Sequence, residues 1–230
     1  MDTIECIMTR RSIRNYLDVP VEWDKIGTIL DAGRFAPSSG NIQDFKFVVV
    51  KDEGSRKAIA DGCLRQYWMS KAPVHIVVCS EIKKSTSFYG IRGERLYSIQ
   101  NCAAAIENMM LAANALGLGT CWVGAFDENV VSRVLGIPDY IRPQAIITVG
   151  YYHESPKPPQ RFPLTTVAFL EKYGNRVGDS AAVMRDYSLI TERYIKQGQK
   201  SAGNAAEKAA DFISEKRREV ADKIKKGFKK

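Results

Sequence analysis

The sequence lacks the features that would point to a membrane protein or a disulfide-stabilised fold. No apolar run among its 230 residues reaches the roughly eighteen needed to span a bilayer, and the N-terminal stretch has no uninterrupted apolar segment of the signal-peptide type. Cysteines are few and scattered, without paired spacing: Cys6, Cys63, Cys79, Cys102 and Cys121. We therefore expect a cytoplasmic protein with buried, reduced thiols.

Histidine is also scarce, which argues against a metal centre. His75 lies inside an apolar, strand-like run, and His153 is far from it in the sequence. A histidine-based metal site or catalytic triad is thus poorly supported. We expect no metal site, and we expect a bound cofactor to supply any chemistry.

The residues that are present predict a globular protein with a basic C-terminal extension. Hydrophobic residues make up 45% of the chain, enough for a substantial core. The net charge of +8 is uneven, because residues 201–230 hold nine basic and five acidic residues, against 25 and 21 in residues 1–200. We predict one domain at residues 1–179 and a helical, basic extension at residues 180–230.

The spacing of apolar residues predicts an α+β (mixed α/β) fold. Short β-branched and aromatic runs predict strands at 45–50, 74–79, 120–123 and 144–152. Helical spacing predicts helices at 3–10, 21–35, 55–63, 94–116 and 127–135. The helix at 94–116 is apolar on nearly every face and should be central, with these buried candidates: Ile99, Ala103, Ile106, Met109, Met110 and Ala113.

The basic extension has two interpretations. Alanine and aliphatic residues recur there at helical spacing, with lysines and arginines between them. A helix packed on a partner subunit, with its charged face in solvent, is favoured. Attachment to nucleic acid or to a membrane surface is the alternative, but the apolar stripe is mostly alanine and gives little insertion energy.

Two polar segments have the composition of ligand-binding loops. The first combines guanidinium groups and a hydroxyl, which suit a phosphate monoester, in Arg10, Arg11, Ser12 and Arg14. The second places small hydroxyls and two carboxamides just before a predicted strand, in Pro37, Ser38, Ser39, Asn41 and Gln43. Each segment taken alone also has an ordinary explanation: the first could be a solvated basic turn, and the second could be a polar loop without a ligand.

Two further positions follow a strand or lie in a stiff loop. Gly124 comes directly after a predicted strand and would let a ligand approach the backbone N–H groups, although a simple turn is the alternative. Arg161 is a cation in the extended, proline-rich loop at 153–163.

In order and spacing, these segments together resemble the nitroreductase family. The motifs are RRSIR at 10–14, APSSGNIQ at 36–43, LGLGTCWVGAF at 116–126 and GYYHESPKPPQR at 150–161. The resemblance covers roughly residues 1–175 and implies a central sheet flanked by helices, in an intertwined homodimer with FMN at the subunit interface. It also implies NADH or NADPH as the electron donor.

The resemblance implies a role for each segment. Arg10, Arg11, Ser12 and Arg14 would hold the FMN phosphate and ribityl chain, with Arg161 as a further phosphate contact. The segment with Pro37, Ser38, Ser39, Asn41 and Gln43 would contact flavin held mainly by the other subunit. The backbone N–H groups of Gly124 and Ala125 would approach flavin N5 and O4. No side chain is expected to be catalytic, since the flavin carries the chemistry.

The implied reaction is ping-pong hydride transfer through flavin N5 to a nitroaromatic, quinone or similar electron-poor acceptor. Residues 80–97 lie where such proteins cover the substrate, so Phe88, Tyr89 or Arg92 is expected to line the pocket. A specialised reductase of the same fold, such as a dehalogenase-like enzyme, is one alternative. An FMN-binding module with a basic attachment tail is another.

Two positions depart from the family pattern. Asp44 stands where the family usually has proline, and Asn101 stands where the long helix usually carries aspartate. Because carboxylates are rarely buried, we expect the Asp44 side chain to point to solvent.

Overall fold

The structure of this protein is a computed structural model that describes residues 2–176. Within that range one antiparallel sheet has the strand order β1-β2-β4-β3. Its strands are β1 (Phe45–Val50), β2 (Val74–Glu81), β3 (Gly119–Val123) and β4 (Ile141–Gly150). The four predicted strands are confirmed. β4 begins earlier than predicted because Pro143 lies at a register shift opposite Cys79, where a proline is tolerated.

Helices surround this sheet and connect its strands. They are α1 (Thr3–Thr9), α2 (Trp23–Arg34), α3 (Glu53–Gly62), α4 (Ile82–Arg92), α5 (Ser98–Ala115), α6 (Glu128–Leu135) and α7 (Leu164–Val167). Three of them start at an aspartate that accepts from the backbone N–H groups of the first turn: Asp2, Asp52 and Asp127. The five predicted helices are confirmed to within a few residues, and the predicted α+β fold is confirmed with them.

The core lies on both faces of the sheet, with β2 in its interior. On one face, Ile76 and Ile147 pack in a cluster with Ile106 and Met109 of α5. On the other face, α3 and α6 cover a second cluster that contains Val77. Because both faces are covered, β2 is apolar almost throughout, and each fully buried aliphatic side chain contributes about 1.5–3 kcal/mol.

Two features of the central region differ from expectation. Residues 82–93 had no predicted secondary structure, but Ile82–Arg92 form α4, which is kinked at Gly90 (φ 57°, ψ −146°) and is followed by a π-helical turn at Gly93–Tyr97. The predicted helix at 94–116 is therefore α-helical only from Ser98. Ile99 is 43% exposed, so its predicted burial is wrong for the single chain, and Ala103 is only half-buried.

The cysteines and His75 belong to the core. All five cysteines are buried and unpaired, as predicted. Burial raises the pKa of Cys63 and of Cys79 to about 12. His75 Nε2 donates to the Met69 carbonyl oxygen at 2.9 Å, and burial lowers the pKa of this imidazole to about 4. These groups are therefore neutral and structural.

The predicted basic extension and its boundary near residue 180 lie outside the described residues. Among residues 2–176, no helix is long and apolar enough to cross a membrane. The same range contains no group of three or more histidine, cysteine or acidic residues arranged to hold a metal ion.

Candidate functional site

The arginine segment lies along the outer edge of β3. α1 ends at Thr9, and the following residues run beside the strand, so that Ser12 bridges Thr120 in parallel and Ile13 N donates to Thr120 O at 2.8 Å. A Cβ atom on Gly119 would lie 2.7 Å from Ile13 Cγ1, so this close approach requires glycine. The local geometry therefore places the cations against one end of an edge strand.

Positive charge accumulates in this segment. The pKa of Arg11 is lowered by burial first, and then by the nearby cations Arg161 and Arg10. Arg10 Nε lies 3.2 Å from Glu107 Oε1, close enough for an ion pair but without hydrogen-bond alignment. Among the described residues, no carboxylate forms an ion pair with Arg11, Arg14 or Arg161. The excess charge suits an anion such as a phosphate monoester.

The Arg11 side chain is held in place by backbone carbonyl groups of neighbouring residues. Its Nη1 donates to the carbonyl oxygens of Met8, at 2.7 Å, and Arg10, at 2.8 Å. A guanidinium has five N–H donors, so the donors on Nε and Nη2 remain for a ligand. The hydroxyl of Tyr152 lies close enough to interact electrostatically with Arg11. The sequence motif contained Tyr152, but nothing in its composition singled that residue out.

Gly124 and Ala125 follow the other end of β3. Both are exposed, and their N–H groups take part in none of the hydrogen bonds recorded between loops of the described chain. Thr120 and Gly124 are about 13 Å apart along the strand at roughly 3.3 Å per residue. One edge of the sheet thus presents a cationic end and an end where two exposed residues have backbone N–H groups without a hydrogen bond among residues 2–176.

The loop at 37–43 has an unusual backbone. Gly40 (φ 53°), Asn41 (φ 56°) and Gln43 (φ 48°) are all left-handed, and the two carboxamide residues lie there at a cost of order 1 kcal/mol each. Gln43 N donates to Ser38 Oγ at 3.0 Å, and Gln43 Nε2 donates to Asn41 Oδ1 at 3.1 Å. Strain of this kind is often retained where a loop binds a ligand.

The loop is anchored to α5 through Asn101. Asn101 Oδ1 accepts from Ser39 N at 2.9 Å and from Ser39 Oγ at 3.2 Å, while Asn101 Nδ2 donates to Asp44 Oδ1 at 2.7 Å. Asp44 Oδ2 accepts a short hydrogen bond from Ser85 Oγ. The two departures from the family pattern are therefore in direct contact, which single motifs did not reveal.

The prediction that Asp44 points to solvent is wrong, because its side chain is fully buried. The backbone explains this orientation. Asp44 O accepts from Glu81 N at 2.7 Å, which aligns Asp44 with the end of β2 and directs its side chain towards α4 and α5. A buried carboxylate is tolerated only when hydrogen bonds replace water, and here two donors do so.

The residues expected to line a pocket on α4 have different environments. A Cβ atom on Gly40 would overlap the Tyr89 hydroxyl, so Tyr89 covers the loop at 37–43. The Tyr89 ring also meets the Tyr97 ring edge-on, and Arg92 Nε donates to the Tyr97 hydroxyl at 2.9 Å. Phe88 is 67% exposed. α4 is therefore packed directly on the polar loop.

The predicted site residues form two groups in the single chain. Arg10, Arg11 and Arg161 are brought together at the β3 edge, where Ser12 and Arg14 also lie, and Arg14 stacks over Trp68. The loop at 37–43 instead contacts α4 and α5. No hydrogen bond or ion pair joins the loop to the arginine segment among residues 2–176.

Comparison with known proteins identifies a family. The model of the nitroreductase family matches residues 7–65 and 60–151. A protein of Methanothermobacter thermautotrophicus, provisionally named an NADH dehydrogenase/NAD(P)H nitroreductase, is 35% identical over 162 residues, which cover 68% of this chain and 80% of that protein.

Two further similarities extend the comparison. A Bacillus subtilis protein named FMN reductase (NADPH) is 25% identical over 248 aligned positions that cover 100% of this chain and 99% of that one. The solved structure of an FMN-dependent nitroreductase from Clostridium difficile R20291 has a TM-score of 0.65 and 25% identity, and the match covers 74% of this chain and 99% of the other.

Proposed function

The chain belongs to the nitroreductase family, and on that premise we propose that it is an FMN-dependent oxidoreductase that takes electrons from NADH or NADPH. Its acceptors would be nitroaromatics, quinones or similar electron-poor small molecules. The observation that carries the proposal is the cluster of arginines at the β3 edge, where burial and the neighbouring cations lower the pKa of Arg11 and where, among residues 2–176, no carboxylate forms an ion pair with it.

The arginine cluster fits the phosphate of FMN. A phosphate monoester brings close to two negative charges and three acceptor oxygens, and forked guanidinium donors match them. Arg10, Arg11, Ser12 and Arg14 would bind the phosphate and ribityl chain, with Arg161 as an additional cation. A bound anion would offset both the cost of burying the Arg11 charge and its repulsion from the neighbouring arginines.

The other end of β3 fits the flavin ring. When bound, FMN supplies the hydride chemistry that no pair of side chains here provides. The exposed N–H groups of Gly124 and Ala125 would donate to the ring and favour the negative charge that it gains on reduction. These donors are fixed by the strand that precedes them, so they need no rearrangement during the reaction.

A homodimer would complete the site. Among residues 2–176, the loop with Pro37, Ser38, Ser39, Asn41 and Gln43 makes no hydrogen bond or ion pair with the arginine cluster, so the loop of a partner subunit is the natural source of this second half. α1 supports such a partner, since its helically spaced Ile4 and Ile7 are 48% and 51% exposed. Exposed apolar residues in a row are typical of an interface.

The test is a visible absorption spectrum of the purified protein, reconstituted with FMN, before and after anaerobic addition of NADH and then NADPH. Flavin bands that bleach on addition would support the proposal and identify the donor. A parallel titration with riboflavin, which lacks the phosphate, measures the contribution of the arginine cluster. Failure to bind added FMN would refute the proposal, and tight binding without bleaching would favour an FMN-binding module instead.

A further inference from the structure

Asp44, Asn101, Ser85 and Ser39 form a buried chain of hydrogen bonds below the loop at 37–43. Asp44 and Ser85 are fully buried, and Asn101 is 3% exposed. The chain runs from Ser85 Oγ on α4 to the Asp44 carboxylate, then to the Asn101 amide on α5, and from there to Ser39 in the loop. Three segments that are separate in the sequence, residues 39–44, α4 and α5, therefore share one polar network.

The direction of each hydrogen bond in this network is fixed. Asp44 accepts through both oxygens, from Ser85 Oγ at Oδ2 and from Asn101 Nδ2 at Oδ1. The Asn101 amide is then oriented with its oxygen towards Ser39, which offers two donors, its backbone N–H and its hydroxyl. If the amide were flipped by 180°, its NH₂ group would face the Ser39 N–H, and its oxygen would face the Asp44 carboxylate.

We propose that Asp44 is a positioning residue of the FMN site, which orients the Asn101 amide so that it holds Ser39 and, with it, the strained loop at 37–43. The proposal rests on the proposed function, because the loop matters for activity only if it contacts FMN. Asp44 itself does not touch the ligand in this scheme. It acts through Asn101, and Ser85 ties the same carboxylate to α4.

This role explains why an acidic residue at position 44 accompanies an asparagine at position 101. An asparagine has one accepting and one donating end, so it needs a neighbour that selects between its two orientations. An aspartate at position 101 would present accepting oxygens to Ser39 in either orientation and would need no such neighbour. The two positions are therefore coupled through the polarity of their hydrogen bonds.

The network also connects the loop to the segment expected to cover the substrate. Ser85 and Tyr89 lie one turn apart on α4, and both contact the region of the loop, Ser85 through Asp44 and Tyr89 over Gly40. The loop is thus held from below by Asn101 and from above by Tyr89. A change at Asp44 should loosen both connections.

The experiment compares Asp44→Ala, Asn101→Asp and the double variant with the unchanged protein. In Asp44→Ala the Asn101 amide is free to flip, and the loss of one oriented contact should raise the Kd for FMN about tenfold. Adding Asn101→Asp to that variant should restore the Kd to within about threefold of the original, because the carboxylate always accepts from Ser39. Asn101→Asp alone should be the least stable variant, since it places two carboxylates against each other.

A second readout needs no flavin. Amide hydrogen exchange of residues 37–43 in the FMN-free protein should be faster in Asp44→Ala and slow again in the double variant. Asp52→Ala is a matched control, because Asp52 also accepts from a backbone N–H and a hydroxyl, those of Ser55. It should lower the urea midpoint without changing the Kd for FMN or the exchange of the loop.

The outcomes separate the two proposals. If the unchanged protein does not bind FMN, the proposed function fails, while the exchange data still test the network. If the unchanged protein binds FMN and Asn101→Asp worsens Asp44→Ala instead of restoring it, the positioning role is refuted. Should Asp44→Ala fail to fold, Asp44→Asn decides: its amide oxygen can still accept from Asn101 and its NH₂ can donate to Ser85, so a Kd raised tenfold or more would overturn the proposal.

Discussion

Replacing Arg11 with alanine should weaken FMN binding while leaving the FMN-free protein almost as stable as before. One charge-assisted hydrogen bond to a phosphate contributes about 1.5–3 kcal/mol, so the Kd should rise about 10- to 100-fold. The loss of two contacts to backbone carbonyls opposes the relief of repulsion from Arg10 and Arg161. The free energy of unfolding should therefore change by less than about 1 kcal/mol.

Fluorescence titration with FMN and with riboflavin, together with urea denaturation, measures both effects. The unchanged protein and the Arg11→Ala variant should have the same Kd for riboflavin, because riboflavin has no phosphate for Arg11 to contact. The Kd of Arg11→Lys for FMN should lie between those of the unchanged protein and Arg11→Ala, since lysine keeps the charge but loses the forked donors. Arg133→Gln on α6 removes the same charge from an exposed position and serves as the control. A Kd for FMN in Arg11→Ala within threefold of the original would refute the assignment of the phosphate site.

Three further changes test the interface, the loop and the core. Ile7→Glu should leave the single chain folded, because Ile7 is exposed there, but should shift sedimentation towards the monomer and lower the FMN content. Gly40→Ala should lower the free energy of unfolding, measured by urea denaturation, by about 1–2 kcal/mol, since φ at Gly40 is +53° and Tyr89 covers the site. Adding Tyr89→Phe removes the overlapping hydroxyl and should recover part of this loss. The pKa of His75 is about 4 in the folded protein and 6.5 in the unfolded chain, so the unfolded chain takes up the proton first as the pH falls. The free energy of unfolding therefore decreases between pH 6.5 and pH 4, by at most about 3 kcal/mol. Between pH 7 and pH 5, the free energy of unfolding should decrease less in His75→Gln than in the unchanged protein, as measured by urea unfolding curves at the two pH values.

Most of the secondary structure followed from local patterns. The apolar runs of β1 and β2 and the capping aspartates of α3 and α6 act within a few residues, so a single sequence predicts them well. α4 was not predicted because its apolar residues show little helical periodicity and its glycine adopts a left-handed backbone. Its position is set by packing against the π-helical turn and the loop at 37–43.

The candidate site was predictable in composition but not in arrangement. The arginine segment, the polar loop and Gly124 were all recognisable as separate motifs. That Arg161 would meet Arg11 was an expectation from the family resemblance, since 150 positions separate them and no local pattern links them. The prediction that Asp44 points to solvent is wrong because its two donors, Ser85 and Asn101, come from distant parts of the sequence and make burial of the carboxylate tolerable.

The sequence by itself determined the strands, most helices, the buried cysteines and the family, because these depend on side-chain chemistry and short-range spacing. Only the tertiary structure decided which motifs meet. It placed the arginines on the edge of β3, left the loop at 37–43 on α4 and α5, and joined Asp44 to Asn101 across 57 positions of sequence. Such pairings depend on how the sheet and helices pack, since hydrogen bonds and charge repulsion act over a few ångströms in space and not along the chain.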